Sequence, residues 1–244
     1  MRIAAFQRSP IIDDIDRLCD ALDHDLRWAM SAGVTLALFP EGYLLGHSYD
    51  PETIVRRATS ISNGALETVC GRIPANSPMV VMGGFEICGT AILNSAFVIE
   101  ASTVVGRYAK AHPNEPGVAA GAEFPIFQQS GCRFGINICN DANYPDAAQA
   151  IADQHADLIL YPLNNLLPIA TADQWRTRSV ENLRARARQT GCWIASADVT
   201  GSWNGRISHG CTAILNPAGE IAARVAEGNE GVALCDIPIM NNSR

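Results

Sequence analysis

Val34-Thr35-Leu36-Ala37-Leu38-Phe39-Pro40-Glu41 is the stretch on which the fold turns. Six residues run without a charge and stop at a proline followed by a carboxylate. A run that does not alternate between apolar and polar is the pattern of a strand covered on both faces, as in a sheet between layers of helices. The run from Ala156 to Tyr161 (ADLILY), followed by Pro162, weakly echoes this design. A helical pattern precedes each run. Ile15, Leu18, Cys19, Leu22, Leu26 and Ala29 recur at helical spacing within 13–32, with Asp13 or Asp14 placed to cap the helix and Gly33 to end it. A helix over 146–155 precedes the second run. Polar residues just past the carboxyl end of a buried strand occupy the edge where open α/β sheets hold ligands.

Working outward, the pattern predicts strands at 3–7, 79–85, 92–99, 103–108 and 134–139, and near 192–197, 211–216, 221–225 and 231–237. Further helices are predicted between Pro51 and Arg72 and over 173–190, and residues 109–123 read as a loop. Strands alternating with helices indicate an α/β fold. No linker, low-complexity segment or charge block divides the chain, so residues 1–244 are expected to form one domain. A domain of this length buries roughly 70–75% of its unfolded surface and needs no metal or disulfide to hold it.

Apolar residues make up 48% of the chain and charged residues 18%, with a net charge of −7. The acidic balance excludes the basic stripe of a general nucleic-acid binder. No apolar run approaches the ~20 residues that span a bilayer. The chain opens directly into a strand-like run with no secretory pattern, which sets a cytoplasmic expectation. Its eight cysteines include no C-x-x-C pair. No zinc knuckle or disulfide framework is indicated, and most read as small buried hydrophobes in a reducing compartment.

Lysine usage is more informative. Of 18 basic residues, Lys110 is the single lysine and the rest are arginine. An arginine-rich codon bias explains the seventeen but not the exception. Lysine carries a compact point charge that Arg's planar fork does not replace.

Three polar residues from distant parts of the chain stand at or beyond predicted strand ends: Glu41, Lys110 and Cys139. A thiol attacks a carbonyl or nitrile carbon as thiolate, so it needs a base or a nearby cation. A carboxylate in a dry pocket can take the thiol proton, and an ammonium can hold the developing oxyanion. Gly201-Ser202-Trp203-Asn204-Gly205 is not a G-x-S-x-G elbow, so no serine nucleophile is visible.

These segments resemble the nitrilase superfamily, the carbon–nitrogen hydrolases. Phe39-Pro40-Glu41 resembles the segment of the general-base glutamate. Gly106-Arg107-Tyr108-Ala109-Lys110-Ala111-His112-Pro113 resembles the lysine segment. Gly135-Ile136-Asn137-Ile138-Cys139-Asn140-Asp141, with Tyr144-Pro145-Asp146, resembles the nucleophile segment, and Glu115 stands where the family often has a supporting glutamate. The resemblance implies a four-layer α-β-β-α sandwich, a Glu41-Lys110-Cys139 triad, and hydrolysis of a non-peptide C–N bond through a thioester. It implies that Asn140 supplies a backbone N–H to the oxyanion and that Glu115 positions the substrate or Lys110. It implies no metal or organic cofactor, and a homo-oligomer, at least a dimer, built from the helices near 146–155 and 173–190. Tyr144 and His112 are further candidates for lining the pocket. Asn140 follows the cysteine where many amidase branches have Tyr and nitrilases have Trp, which favours a small amide over a nitrile. Ala142-Asn143 replace the two arginines with which N-carbamoyl-D-amino-acid hydrolases hold a carboxylate. Gln189-Thr190 replace the family's usual Glu-Asn, a change that bears on a structural ion pair. The competing readings are a nitrilase or N-carbamoyl hydrolase on the same site, a thiol hydrolase pairing Cys139 with His112, and a non-catalytic dimeric binding protein that retains the fold.

Overall fold

The computed structural model describes residues 1–238. In chain order it contains β1 (Arg2–Gln7), α1 (Ile15–Ser31), β2 (Leu36–Leu38), α2 (Pro51–Ser60), α3 (Leu66–Arg72), β3 (Met79–Cys88), β4 (Ala91–Glu100), β5 (Thr103–Ala109), β6 (Phe127–Gln129) and β7 (Cys132–Ile136). There follow α4 (Pro145–Ala152), β8 (Leu158–Pro162), β9 (Leu167–Pro168), α5 (Ile169–Thr190), β10 (Trp193–Ala197), β11 (Gly201–Trp203), β12 (Arg206–Ser208), β13 (Ala213–Leu215), β14 (Ile221–Arg224) and β15 (Gly231–Asp236).

Two six-stranded sheets have the orders β15-β1-β2-β3-β4-β5 and β6-β7-β8-β10-β13-β14. In each, the three strands after the first are parallel to one another and the outer neighbours are antiparallel. The echo between the two apolar runs is therefore architectural: β2 and β8 hold the same place in the two sheets. Alternate residues show why both runs are apolar throughout. Leu36 and Leu38 of β2 meet Leu158 and Leu160 of β8 in the core between the sheets, together with Ile3, Val81, Phe134 and Ala195. Ala37 and Phe39 face the other way, onto Leu22 and Leu26 of α1 and Val69 of α3. Ile159 and Tyr161 face Ile151 of α4 and Leu183 of α5. Helix, sheet, sheet and helix form the four layers expected, and each fully buried Leu or Phe contributes ~1.5–3 kcal/mol.

Several boundaries differ from the sequence reading. Asp14 caps α1, accepting from the Arg17 N–H at 3.0 Å. Asp13 takes a left-handed backbone (φ 53°) and pairs with Arg57 at 2.8 Å instead. The helix expected over 51–72 is interrupted at Asn63-Gly64, where Gly64 has φ 103°. The strand expected to end at Cys139 stops at Ile136, and Cys139 opens a short 3₁₀ turn, Cys139–Asn143. The 201–205 segment is a hairpin whose tip, Asn204-Gly205, has positive φ at both residues, as a two-residue type I′ loop requires.

The carboxyl ends of β2 and β8 meet. The Glu41 N–H donates to Leu163 O at 3.1 Å, and Asn164 Nδ2 donates to Glu41 O at 3.1 Å. β3 packs equally close. A Cβ at Gly83 would lie 2.7 Å from the Gly42 nitrogen and 3.1 Å from the Glu41 Cα, both backbone atoms unable to rotate away. Gly83→Ala is expected to cost ~1–3 kcal/mol through this overlap, read as a lowered urea midpoint. An unchanged midpoint would show that the Glu41 turn yields freely.

Candidate active site

Lys110 follows β5, and its ammonium lies buried between two carboxylates. Nζ donates to Glu41 Oε1 at 2.8 Å and to Glu115 Oε1 at 2.7 Å, with the Asn114 Oδ1 at 3.5 Å. Asn94 of β4 braces the same pair, with Nδ2 2.8 Å from each of those carboxylate oxygens. His47 completes the cluster: its Nε2 lies 2.8 Å from Glu115 Oε1. A carboxylate can only accept, so Nε2 carries the proton. Burial alone would drive the lysine toward its neutral form, but the negative charges of Glu41 and Glu115 hold it well above the ordinary lysine range. Burial likewise opposes charge on Glu115, yet the hydrogen bond from His47 and the Lys110 charge hold it well below the usual carboxylate range. Lys110 and Glu115 therefore keep their charges across neutral pH.

Cys139 sits beside the cluster. Its backbone is left-handed (φ 42°), a conformation that costs a non-glycine residue roughly 1–2 kcal/mol. Asp141 holds the turn in that shape. It accepts from the Ile138 N–H and the Tyr108 hydroxyl through one oxygen and from the His112 N–H through the other, each at 2.8 Å. One buried carboxylate thus ties the lysine segment to the Cys139 turn. Burial and the Glu41 charge push the Cys139 thiol well above its ordinary value, while Lys110 and the Asn164 backbone N–H act in the opposite direction. The resting side chain is a thiol that must be deprotonated to react.

A cavity of about 240 Å³ opens at Cys139. Tyr49, Asn114 and Asn164 line it near the thiol, and Leu163, Trp175 and Leu183 form an apolar wall. Among the described residues, no side chain lining it carries a formal charge. Of the residues singled out from sequence, Glu41, Lys110, Glu115 and Cys139 converge, and Asn140 lines the cavity. His112 and Tyr144 lie outside its lining. Their rings stack on each other with centroids 3.8 Å apart, and His112 Nε2 stands 3.4 Å from Asp146. His47, Asn94 and Asp141 are the site residues that sequence reading passed over. Of the three, only Asp141, immediately after Asn140, stood inside a segment already singled out. Glu41, His47 and Glu115 bring possible metal-ligand atoms within 4.8 Å of one another, and the Lys110 ammonium bridges the two carboxylates of that donor set.

The sequence model of the family described as "Carbon-nitrogen hydrolase" matches residues 1–241. The chain belongs to the carbon–nitrogen hydrolase family. It is 26% identical to a nitrilase of Pyrococcus abyssi, an alignment covering 100% of this chain and 93% of that protein. It is also 26% identical to the deaminated glutathione amidase of Bos taurus, over 88% of this chain and 70% of the relative. The fold of this carbon–nitrogen hydrolase superposes on an amidase from Nesterenkonia sp. AN1 with a TM-score of 0.84 at 23% identity, covering 98% and 90% of the two chains. That amidase was captured as a mutant with covalent addition of the acetamide moiety of fluoroacetamide at its active-site cysteine. No helix among the described residues is long and apolar enough to cross a membrane.

Removing the ammonium should leave two buried carboxylates uncompensated. Lys110→Ala is therefore expected to lose ~3–5 kcal/mol of stability, measured by urea denaturation at neutral pH, and a loss below ~1 kcal/mol would contradict the buried-pair geometry.

Proposed function

We propose that this carbon–nitrogen hydrolase cleaves a small uncharged amide through a thioester on Cys139. The observation that carries the reading is the state of Glu41. Its Oε1 is saturated by Lys110 and Asn94, whereas its Oε2 is buried with no partner among the described residues. A buried acceptor left open next to a thiol is a poised base, because the missing hydrogen bond costs ~1–3 kcal/mol unless something fills it.

In this mechanism Glu41 Oε2 takes the Cys139 proton as sulfur attacks the amide carbon. Lys110 has three N–H donors, two of them on carboxylates. The third, facing Asn114 at 3.5 Å, turns to the oxyanion together with the Asn140 backbone N–H. The C–N bond breaks, and the leaving ammonia or amine takes the proton from Glu41. Water then loses a proton to Glu41 and attacks the thioester. The C–S bond breaks, and the sulfur recovers its proton as the acid departs. Glu115 holds Lys110 in place throughout.

The cavity's neutral lining favours this substrate class. A carboxylate-bearing carbamoyl substrate would want an Arg or Lys there, and an ammonium-bearing one an Asp or Glu. The stacking of His112 on Tyr144 counts against a Cys139–His112 dyad, and the open base atom counts against a retired, purely binding site. The same reading includes a cytosolic homo-oligomer formed through α4 and α5. Sedimentation as a monomer at micromolar concentration overturns that part.

Ammonia release from butyramide tests the chemistry. Cys139→Ala is expected to abolish it and Glu41→Gln to lower it by 10² or more, while His112→Ala stays within a few-fold. Sub-stoichiometric iodoacetamide should label Cys139 ahead of the other seven cysteines. Labelling spread over several cysteines, with no ammonia from any small amide, sinks the reading.

A further inference from the structure

Three asparagines of the cavity wall are joined in a single directed chain. Asn182 Nδ2, on α5, donates to Asn143 Oδ1 at 2.6 Å. Asn143 Nδ2 donates to Asn140 Oδ1 at 2.9 Å, and Asn140 Nδ2 donates to the His112 carbonyl at 2.8 Å. The direction is not arbitrary. A backbone carbonyl can only accept, so Asn140 must turn its NH₂ toward His112 and its oxygen toward Asn143. Asn143 must then present its NH₂ to Asn140 and its oxygen to Asn182. The anchor at His112 thereby sets all three amides and leaves the Asn182 oxygen as the chain's terminal acceptor.

Asn182 belongs to a stripe on α5. Thr171, Trp175, Ser179 and Asn182 recur at helical spacing and all line the cavity. At ~30 Å³ per water-sized group, the cavity of about 240 Å³ holds roughly eight non-hydrogen atoms. That is more than the reacting carboxamide needs, so the acyl group extends away from Cys139 past Trp175.

We propose that Asn182 is the specificity residue of a distal subsite, and that the preferred substrate is a short amide whose acyl group ends in a neutral hydrogen-bond donor, a hydroxyl. An acceptor oriented by a relay selects a donor, and a cavity without charged lining offers an ammonium no counter-ion. This inference rests on the amidase reading of Cys139 and adds the identity of the acyl tail.

Matched pairs of equal size test it: 3-hydroxypropionamide against butyramide, and 5-hydroxypentanamide against hexanamide. The native protein should favour at least one hydroxyl member on the order of tenfold in kcat/KM, chiefly through KM, the size of one well-oriented hydrogen bond. In Asn182→Leu that ratio should fall to about one. Asn182→Asp keeps an acceptor, gives up the donor to Asn143 and adds a charge that attracts a cation without needing the relay, so 5-aminopentanamide should gain about tenfold over 5-hydroxypentanamide relative to the native protein. This second variant provides the test if the leucine variant does not fold. Hydrolysis of every pair at equal rates by the native protein, or a hydroxyl preference that Asn182→Leu leaves intact, overturns the subsite alone. No ammonia from any of these amides, with no acyl adduct on Cys139, overturns the amidase reading on which it stands.

Discussion

The Lys110 ammonium, buried between Glu41 and Glu115, is the interaction on which the site depends. Two carboxylates packed this closely cannot both stay ionised unless a cation lies between them. That cation has to reach oxygens on both sides at 2.7 and 2.8 Å within a space that leaves it 1% exposed. A guanidinium is too broad and too planar for this place, which accounts for the single lysine in a chain otherwise using arginine. Glu41 is thereby held with one oxygen tied and the other open. The same ammonium offsets part of the burial that holds Cys139 as a thiol.

The architecture delivers these groups to one place by repetition. β2 and β8 occupy the same position in two sheets of the same order, and the turns that end them hydrogen-bond across the interface at Glu41, Leu163 and Asn164. One strand end contributes Glu41. The other contributes Asn164, which donates to the Glu41 carbonyl and lines the cavity at Cys139. Asp141 then binds the Cys139 turn to the lysine segment through three short hydrogen bonds. The left-handed backbone at Cys139 is stable because these bonds and the surrounding core over-determine it.

Much of this was legible in the chain. Apolar continuity in 34–39 and 156–161 marked strands buried on both faces, since each strand of a sandwiched sheet must satisfy a core on either side. Proline and a polar residue after each marked the ligand edge. What periodicity could not locate were the irregular places. Cys139 was read as a strand end because Ile136 and Ile138 continue an apolar pattern, whereas Asp141 pulls the backbone into a 3₁₀ turn. His112 and Tyr144 stand in the segments that carry Lys110 and Cys139, but their rings stack on each other outside the cavity lining. His47 and Asn94 looked like ordinary loop and strand residues, because nothing local distinguishes an amide or imidazole that will meet a carboxylate.

The sequence by itself determined an α/β fold with strands buried on both faces and placed a glutamate, a lysine and a cysteine at strand ends, because burial pattern and residue chemistry are local properties written along the chain; the layer architecture and the family came from the resemblance of the segments that carry those residues. Tertiary structure alone decided which oxygen of Glu41 stays open, which face of α5 looks at the thiol, and in which direction the Asn182-Asn143-Asn140 amides point. Those properties arise from contacts between residues far apart in sequence, such as Lys110 with Glu41 at a separation of 69 and Asn182 with Asn143 at 39. A hydrogen bond has direction only once both partners are in place, and folding, not composition, sets that placement.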